Sequence, residues 1–311
     1  MTKVFIDGSS GTTGLRIRER LCMRKETELI TLDEACRKDA GARREAFCKA
    51  DVAFLCLPDA AAIEAVELAR GSDTVIIDTS TAHRTAEGWE YGMPELTGRR
   101  DRIARAKQIA NPGCHASGFI ALVAPLVEQG LLVKDVQLTC FSLTGYSGGG
   151  KNMIAEYEDP QRSPLLDAPR QYALGQVHKH LKEMNVICGI ENNPIFCPIV
   201  ADFYSGMEVT VSLFKKDLQG AMADVRRIYA EYYTGSLIRF KETADEKGFL
   251  SAAAFSGRDD MEVIVTGNEE RILLVSRFDN LGKGASGAAI QNMNIVLGLP
   301  ETTGLDIGNA K

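Results

Sequence analysis

The sequence predicts an α/β protein of two units: a doubly wound parallel sheet, then an α+β unit whose sheet is mostly antiparallel. Three observations predict it. Through the N-terminal third, short apolar runs alternate with helical patterns, as βα units feeding a parallel sheet do. After about Val133 the runs lengthen and alternate in polarity, which suits a sheet with one covered face. A length of 311 residues accommodates two cores more readily than one.

The parallel strands are read at Val4-Phe5-Ile6, Leu29-Ile30-Thr31-Leu32, Val52–Leu57 and Val75-Ile76-Ile77. Between the last two, DAAAIEAVELARG predicts a helix capped by Asp59, with Ile63 and Val66 at helical spacing and Gly71 as its stop. In the second half, Met207, Val209, Val211 and Leu213 alternate with Glu208, Thr210 and Ser212, and MEVIVTG and RILLVSRF follow as further strands. The last helical pattern, ASGAAIQNMNIVLG, is assigned back to the first unit. The expected division is 1–113 with 285–311, and 114–284.

Hydrophobic residues make up 45% and charged residues 25% of the chain, and the net charge is -6. That balance excludes disorder, and it argues against a nucleic-acid partner, which needs a clustered basic face. The run Arg99, Arg100, Asp101, Arg102, Arg105 is interrupted by acid and is read as a solvated surface. The eight cysteines form no C-x-x-C pair, so neither a disulfide framework nor a metal centre is expected. With no leader pattern and no apolar run of spanning length, the reading is a cytoplasmic protein away from membranes.

The first strand runs into Gly8-Ser9-Ser10-Gly11-Thr12-Thr13-Gly14 and then a helical pattern. Glycines there allow a tight turn, and the following helix N-terminus offers N–H groups to a pyrophosphate, with the four hydroxyls adding donors. The spacing is G-x-x-G-x-x-G, so position at the head of a βαβ series carries the reading more than the pattern does. After the second strand stand Asp33 and Glu34, suited to ribose hydroxyls, and then Arg37 and Lys38, suited to a 2′-phosphate. The residues alone leave NAD and NADP open.

Asn111-Pro112-Gly113-Cys114 separates a short strand from FIALVAPLVEQG. Pro112 forbids an earlier helix start, so Cys114 falls in the first turn, where unpaired N–H groups and the dipole favour a thiolate. Pro125 should kink that helix. Such a nucleophile needs a proton carrier near neutral pH, hence a histidine. Of His83, His115, His178 and His180, the pair in GQVHKHLKEM is favoured, His180 ahead of His178, because Glu183 on the same helix face could orient it.

With these residues in hand, the chain resembles the short-type N-acetyl-gamma-glutamyl-phosphate reductases and, more distantly, the aspartate-semialdehyde dehydrogenases. The resemblance runs nearly end to end, through FIDGSSGTTGLRI, CLPDAA, DTSTAHRTAEGWEYGMPEL, NPGCHASG, SLTGYSGGGK, HKHLKEM and GASGAAIQNMNIVLGLPETTGL. It implies a Rossmann-like first domain completed by the C-terminal helix, an α+β catalytic and oligomerisation domain, NADP, and a homo-oligomer, dimer or tetramer. It further implies Cys114 as the thioester-forming nucleophile and the HKH pair as acid/base, with the choice within the pair left open. Ser80, Gln291 and Asn292 go to the cofactor side. Arg84, Asn111, Ser147, Gly148, Gly149, Lys151 and Glu183 go to the substrate, an acyl phosphate. The competing expectations are the same reduction on aspartyl phosphate, a nucleotide-binding redox sensor, and a cysteine hydrolase.

Overall fold

The computed structural model describes residues 1–243 and 246–308. The chain divides into Met1–Pro112 with Ala285–Leu305, and Gly113–Gly284 with the residues from Asp306 on.

The first unit runs β1 (Thr2–Asp7), α1 (Thr12–Cys22), β2 (Thr27–Ile30), α2 (Ala40–Lys49), β3 (Val52–Leu55), α3 (Asp59–Leu68), β4 (Val75–Asp78), β5 (Glu90–Tyr91), α4 (Arg99–Ile103) and β6 (Gln108–Ala110). Its strands lie in the order β2-β1-β3-β4-β6-β5, and every pairing is parallel. β3 and β4 are buried along their whole length because both sheet faces are covered. On one face Val4, Ile6, Val52, Phe54 and Ile77 meet Ile17 and Leu21 of α1. On the other, Phe5, Ala53, Leu55 and Ile76 meet Ala46 and Phe47 of α2 and Ala62, Ala65 and Leu68 of α3. The strand order reverses between β1 and β3, the place where open α/β sheets form a ligand crevice.

The second unit contains α5 (Cys114–Glu128), β7 (Thr139–Gly145), α6 (Gly150–Glu158), β8 (Arg170–Gln171), α7 (His180–Cys188), β9 (Ile195–Ala201), β10 (Met207–Phe214), α8 (Met222–Tyr232), β11 (Ile238–Lys241), β12 (Met261–Gly267) and β13 (Arg271–Phe278). A π-helical turn over Gly282–Ser286 then leads to α9 (Gly287–Val296), which belongs to the first unit. The sheet order is β11-β12-β13-β10-β7-β9-β8, with β11·β12 and β7·β9 parallel and the rest antiparallel. In β10 the predicted alternation is present: Met207, Val209, Val211 and Leu213 are buried and their neighbours are not. Helix α5 lies on that covered face, where a Cβ on Gly118 would come within 2.5 Å of Val209 Cγ2, so only glycine allows the close approach.

Several local readings change. Pro58, not Asp59, occupies the cap position of α3; Asp59 turns instead to Thr81, accepting from its N–H at 2.9 Å and from its hydroxyl. Ile63 is 53% exposed, because the face of α3 turned to the sheet is the one carrying Ala62, Ala65 and Leu68. Helix α5 runs through Pro125 to Glu128. The missing proline N–H leaves the Ala121 carbonyl without its helical donor, and the Tyr233 hydroxyl supplies one at 2.6 Å. The segment from Asp306 joins the second unit, since Asp259 and Asp306 exchange two hydrogen bonds.

Candidate active site

In the first unit the glycines of the loop after β1 are needed for different reasons. Gly8 has φ +85, and a Cβ there would lie 2.3 Å from the Cys56 carbonyl oxygen. At Gly14 a Cβ would meet the Gly8 oxygen at 2.6 Å, so glycine is what lets α1 sit against the turn. Gly11 differs: its Cβ would meet nothing nearer than 3.6 Å. Its missing side chain clears room in front of the helix terminus, not within the protein. The buried Thr12 Oγ1 has no hydrogen-bond partner in the described structure, at a helix start whose first N–H groups lack helical acceptors. A cavity of about 480 Å³ opens here, lined by Gly8, Ser9, Ser10 and Leu29–Leu32, and at its rim by Arg18, Glu34, Arg37 and Lys38. Arg37 pairs with Glu34 at 2.8 Å. Arg18 was not anticipated; its only signal is lying one helical turn past Gly14.

The remaining first-unit candidates are tightly held. Ser80 donates its hydroxyl to Asp78 at 2.7 Å. Gln291 donates to Glu95 and Glu301 at 2.9 and 2.8 Å, so its amide ties α9 down. Asn292 donates to the Gly92 carbonyl at 2.9 Å, and its Oδ1 is buried without a partner. Asn111, assigned to substrate, is 1% exposed and spends its amide on the Ala285 carbonyl at 3.0 Å. Its own carbonyl accepts from Arg84 Nε at 3.0 Å; Asn111 holds Arg84 and does not reach outward. In the arginine run, Arg99 and Arg102 pair with Glu90 and Arg100 with Glu301; Arg100 and Arg102 are exposed, whereas the Arg99–Glu90 pair is largely covered.

In the second unit Cys114 is the first residue of α5, behind Gly113, and is half-buried. Cys22, Cys36 and Cys48 are more exposed, so exposure does not single it out; its place on the helix terminus does. By contrast burial pushes the Cys56 thiol up to about 12 and Cys140 further still. Gly113 N–H is held by Glu183 at 2.8 Å, so Glu183, on α7, fixes the entry to α5. Beside Cys114 packs Gly284, where a Cβ would stand 3.0 Å from that of Cys114.

Three histidines gather here, one more than the sequence suggested. His115 lies 5.5 Å from His180 and 5.8 Å from His178 between ring centres, and those two lie 4.8 Å apart. His115 is locked between the Ser142 hydroxyl at 2.6 Å and the Tyr172 hydroxyl at 2.7 Å. Burial, helped by the charges of His178 and Lys179, pushes it down to about 3, so the ring stays neutral at working pH, with one nitrogen protonated and the other free to accept. Tyr172, missed entirely by sequence reasoning, is raised by burial and then by the negative charge of Cys114. His178 is half-exposed and its Nδ1 accepts from His180 N–H at 3.2 Å, which leaves the proton of the neutral ring on Nε2. His180 is 4% exposed.

Two family models match the chain: the semialdehyde dehydrogenase NAD binding domain over residues 8–106 and the semialdehyde dehydrogenase dimerisation domain over residues 114–280. An N-acetyl-gamma-glutamyl-phosphate reductase 2 of Nostoc is 44% identical over 97% of this chain and 99% of its own length. A reductase of the same name from Brucella suis is 45% identical over 95% and 99%. The chain belongs to the N-acetyl-gamma-glutamyl-phosphate reductase family. Its fold is shared more widely. Aspartate semialdehyde dehydrogenase II of Vibrio cholerae superposes with a TM-score of 0.72 at 16% identity over 96% of this chain and 98% of that one. The Candida albicans enzyme with NADP gives 0.68 at 17% over 96% and 98%.

The glycine loop after β7 serves packing in part: Ser147 is 1% exposed, its N–H donates to the Tyr204 carbonyl at 3.0 Å and its hydroxyl accepts from Asn280 at 3.0 Å. That N–H is therefore not a free cradle donor, whereas Gly148, Gly149 and Lys151 stay exposed. Among the described residues no His, Cys, Asp or Glu cluster could hold a metal ion, and no helix is long and apolar enough to cross a membrane.

Proposed function

We propose that this protein reduces N-acetyl-L-glutamyl 5-phosphate to N-acetyl-L-glutamate 5-semialdehyde and phosphate, with NADPH, as a step of arginine biosynthesis. The observation that carries it is Cys114 at the first position of α5 in a chain whose near full-length relatives, at 44% and 45% identity, bear that name.

The residues around the first-unit cavity fit a dinucleotide. The Gly8–Gly14 loop, with its orphaned Thr12 hydroxyl, would hold the pyrophosphate, and Arg37, Lys38 and Arg18 the 2′-phosphate. When bound, NADPH supplies the hydride that reduces the enzyme's thioester. The Cys114 thiolate attacks the acyl carbonyl, the carbon–oxygen bond to phosphate breaks, and phosphate leaves with the bonding pair. N–H groups of the first α5 turn face the developing oxyanion. Hydride addition would leave an oxyanion on the Cys114 adduct, which takes up a proton; on giving that proton back it forms the aldehyde carbonyl, the carbon–sulfur bond breaks, and the thiolate returns. We assign that proton to the HKH pair, His180 as the buried ring and His178 as the half-exposed ring through which it reaches solvent. Arg84 is assigned to an anionic group of the substrate, and Lys151 to the exposed glycine loop's anion.

A homo-oligomer is supported by the uncovered sheet face, where Phe141, Ile195, Phe214 and Leu273 are 46%, 60%, 58% and 38% exposed, apolar side chains that a second copy could cover. Light scattering on the purified protein tests it. A cytoplasmic location is supported by eight cysteines all free as thiols.

Purified protein should reduce NADP in the presence of N-acetylglutamate semialdehyde only when phosphate is added, and NAD much less well. Equal or faster turnover of aspartate semialdehyde overturns the substrate assignment. Cys114→Ala should abolish thioester formation and leave NADPH binding intact; retained turnover overturns the mechanism.

A further inference from the structure

The turn after β4 is built around one carboxylate. Asp78 is fully buried, and a buried carboxylate must be satisfied by donors. It accepts from Ser80 N–H at 2.9 Å, from the Ser80 hydroxyl at 2.7 Å and from His83 Nδ1 at 2.6 Å. The Ser80 oxygen in turn accepts from Ala82 N–H at 3.2 Å, and the Thr79 hydroxyl is tied to the Leu55 carbonyl at 2.9 Å. The other side of the His83 ring lies flat on Trp89, with centres 4.1 Å apart and planes 14° from parallel.

What this turn carries is Arg84, 8% exposed. Its Nη2 donates to the Thr79 carbonyl at 3.1 Å and its Nε to that of Asn111 at 3.0 Å. Thr79 lies inside the loop closed by Asp78 on Ser80 and His83, so the direction of its carbonyl depends on that closure. A long, flexible guanidinium side chain is worth most to a ligand when its rotamer is fixed beforehand. We propose that Asp78 and His83 are positioning residues for Arg84, with Ser80 part of the same brace and not a cofactor ligand. This rests on the assignment of Arg84 to the substrate.

The test is steady-state kinetics in the direction of NADP reduction, with KM measured separately for N-acetylglutamate semialdehyde and for phosphate. Arg84→Gln identifies which reactant the guanidinium holds. His83→Leu should then raise the KM of that same reactant about tenfold, the scale of one lost hydrogen bond to a charged group. Turnover at saturation should change less than about threefold, and NADPH affinity, read from the cofactor's own fluorescence on binding, should not move. His83→Asn, whose amide nitrogen can occupy the Nδ1 position, should restore KM. In the Arg84→Gln background His83→Leu should add nothing. A fall in turnover with KM unchanged, or a full additional effect in the double variant, overturns the proposal. If Arg84→Gln leaves both KM values unchanged, the substrate assignment of Arg84 falls and the proposal with it. Should His83→Leu not fold, Ser80→Ala, which removes one donor from Asp78, is expected to raise the same KM by a smaller factor; no change there overturns the proposal equally.

Discussion

Burial of His115 predicts a specific acid sensitivity of the second unit. Its value in the folded chain is about 3, against an ordinary 6.5, chiefly because desolvation opposes the cation. Between those values the unfolded chain binds a proton that the folded chain refuses, so stability from this group is complete above about pH 6.5 and is lost as pH falls toward 3. At about pH 4.5 the unfolded histidine is almost wholly protonated and the folded one almost wholly neutral, which amounts to about 3 kcal/mol relative to about pH 7.5. His115→Gln removes that linkage. It should be less stable than the parent at neutral pH, having lost a fitted ring, yet lose about 3 kcal/mol less on acidification. Urea unfolding followed by far-UV dichroism at the two pH values measures this. With only four histidines in the chain, ring-carbon NMR on labelled protein can follow His115 directly, using the variant for assignment. A His115 resonance that titrates between about pH 5.5 and 7.5 would refute the reasoning, because the ring would then be charging inside the fold.

The glycine loop separates two roles. Gly11→Ala, where a Cβ meets nothing within 3.6 Å, should leave melting temperature nearly unchanged while weakening NADPH binding at least about tenfold. Gly14→Ala, facing the Gly8 oxygen at 2.6 Å, should cost about 1–3 kcal/mol of stability as well; equal melting temperatures for the two would contradict the assignment. Gly284→Ala places a methyl 3.0 Å from the Cys114 Cβ and should slow alkylation of that thiol by iodoacetamide about tenfold. Glu183→Gln keeps an acceptor for Gly113 N–H and should retain turnover within about threefold, whereas Glu183→Ala should lose at least about tenfold; equal losses would show that the charge matters and not the hydrogen bond.

Much of the fold is legible in the sequence because parallel strands buried on both faces must be continuously apolar and half-covered strands must alternate; β3 and β10 show both cases. The start of α5 is legible because Pro112 and Gly113 leave the helix no earlier beginning. What escapes is contact across sequence. Nothing near Tyr172 announces that its hydroxyl meets His115, and nothing in the spacing of Asp78 and His83 distinguishes a brace from two polar surface residues. Helix α3 misleads for a local reason: Ala62, Ala65 and Leu68 also stand at helical spacing, and theirs is the face that packs, leaving Ile63 outside. The partner of Pro125 is equally hidden, since the carbonyl the proline orphans is satisfied by Tyr233, a residue from a distant helix end.

The core of the first unit includes Ala289, Met293 and Ile295 of α9 beside Val4, Ile6 and Ile17. During synthesis this core cannot close when Pro112 has been made. Its last wall is still roughly 170 residues away, on the order of ten to thirty seconds of translation. In that interval α1 and the strands beside it have an uncovered flank, while residues 113–284 of the second unit are emitted between the two halves. Both units are therefore closed only by the last stretch of the chain, the first by α9 and the second by the segment from Asp306, and the nascent protein passes through a window of exposure that two contiguous domains would not have.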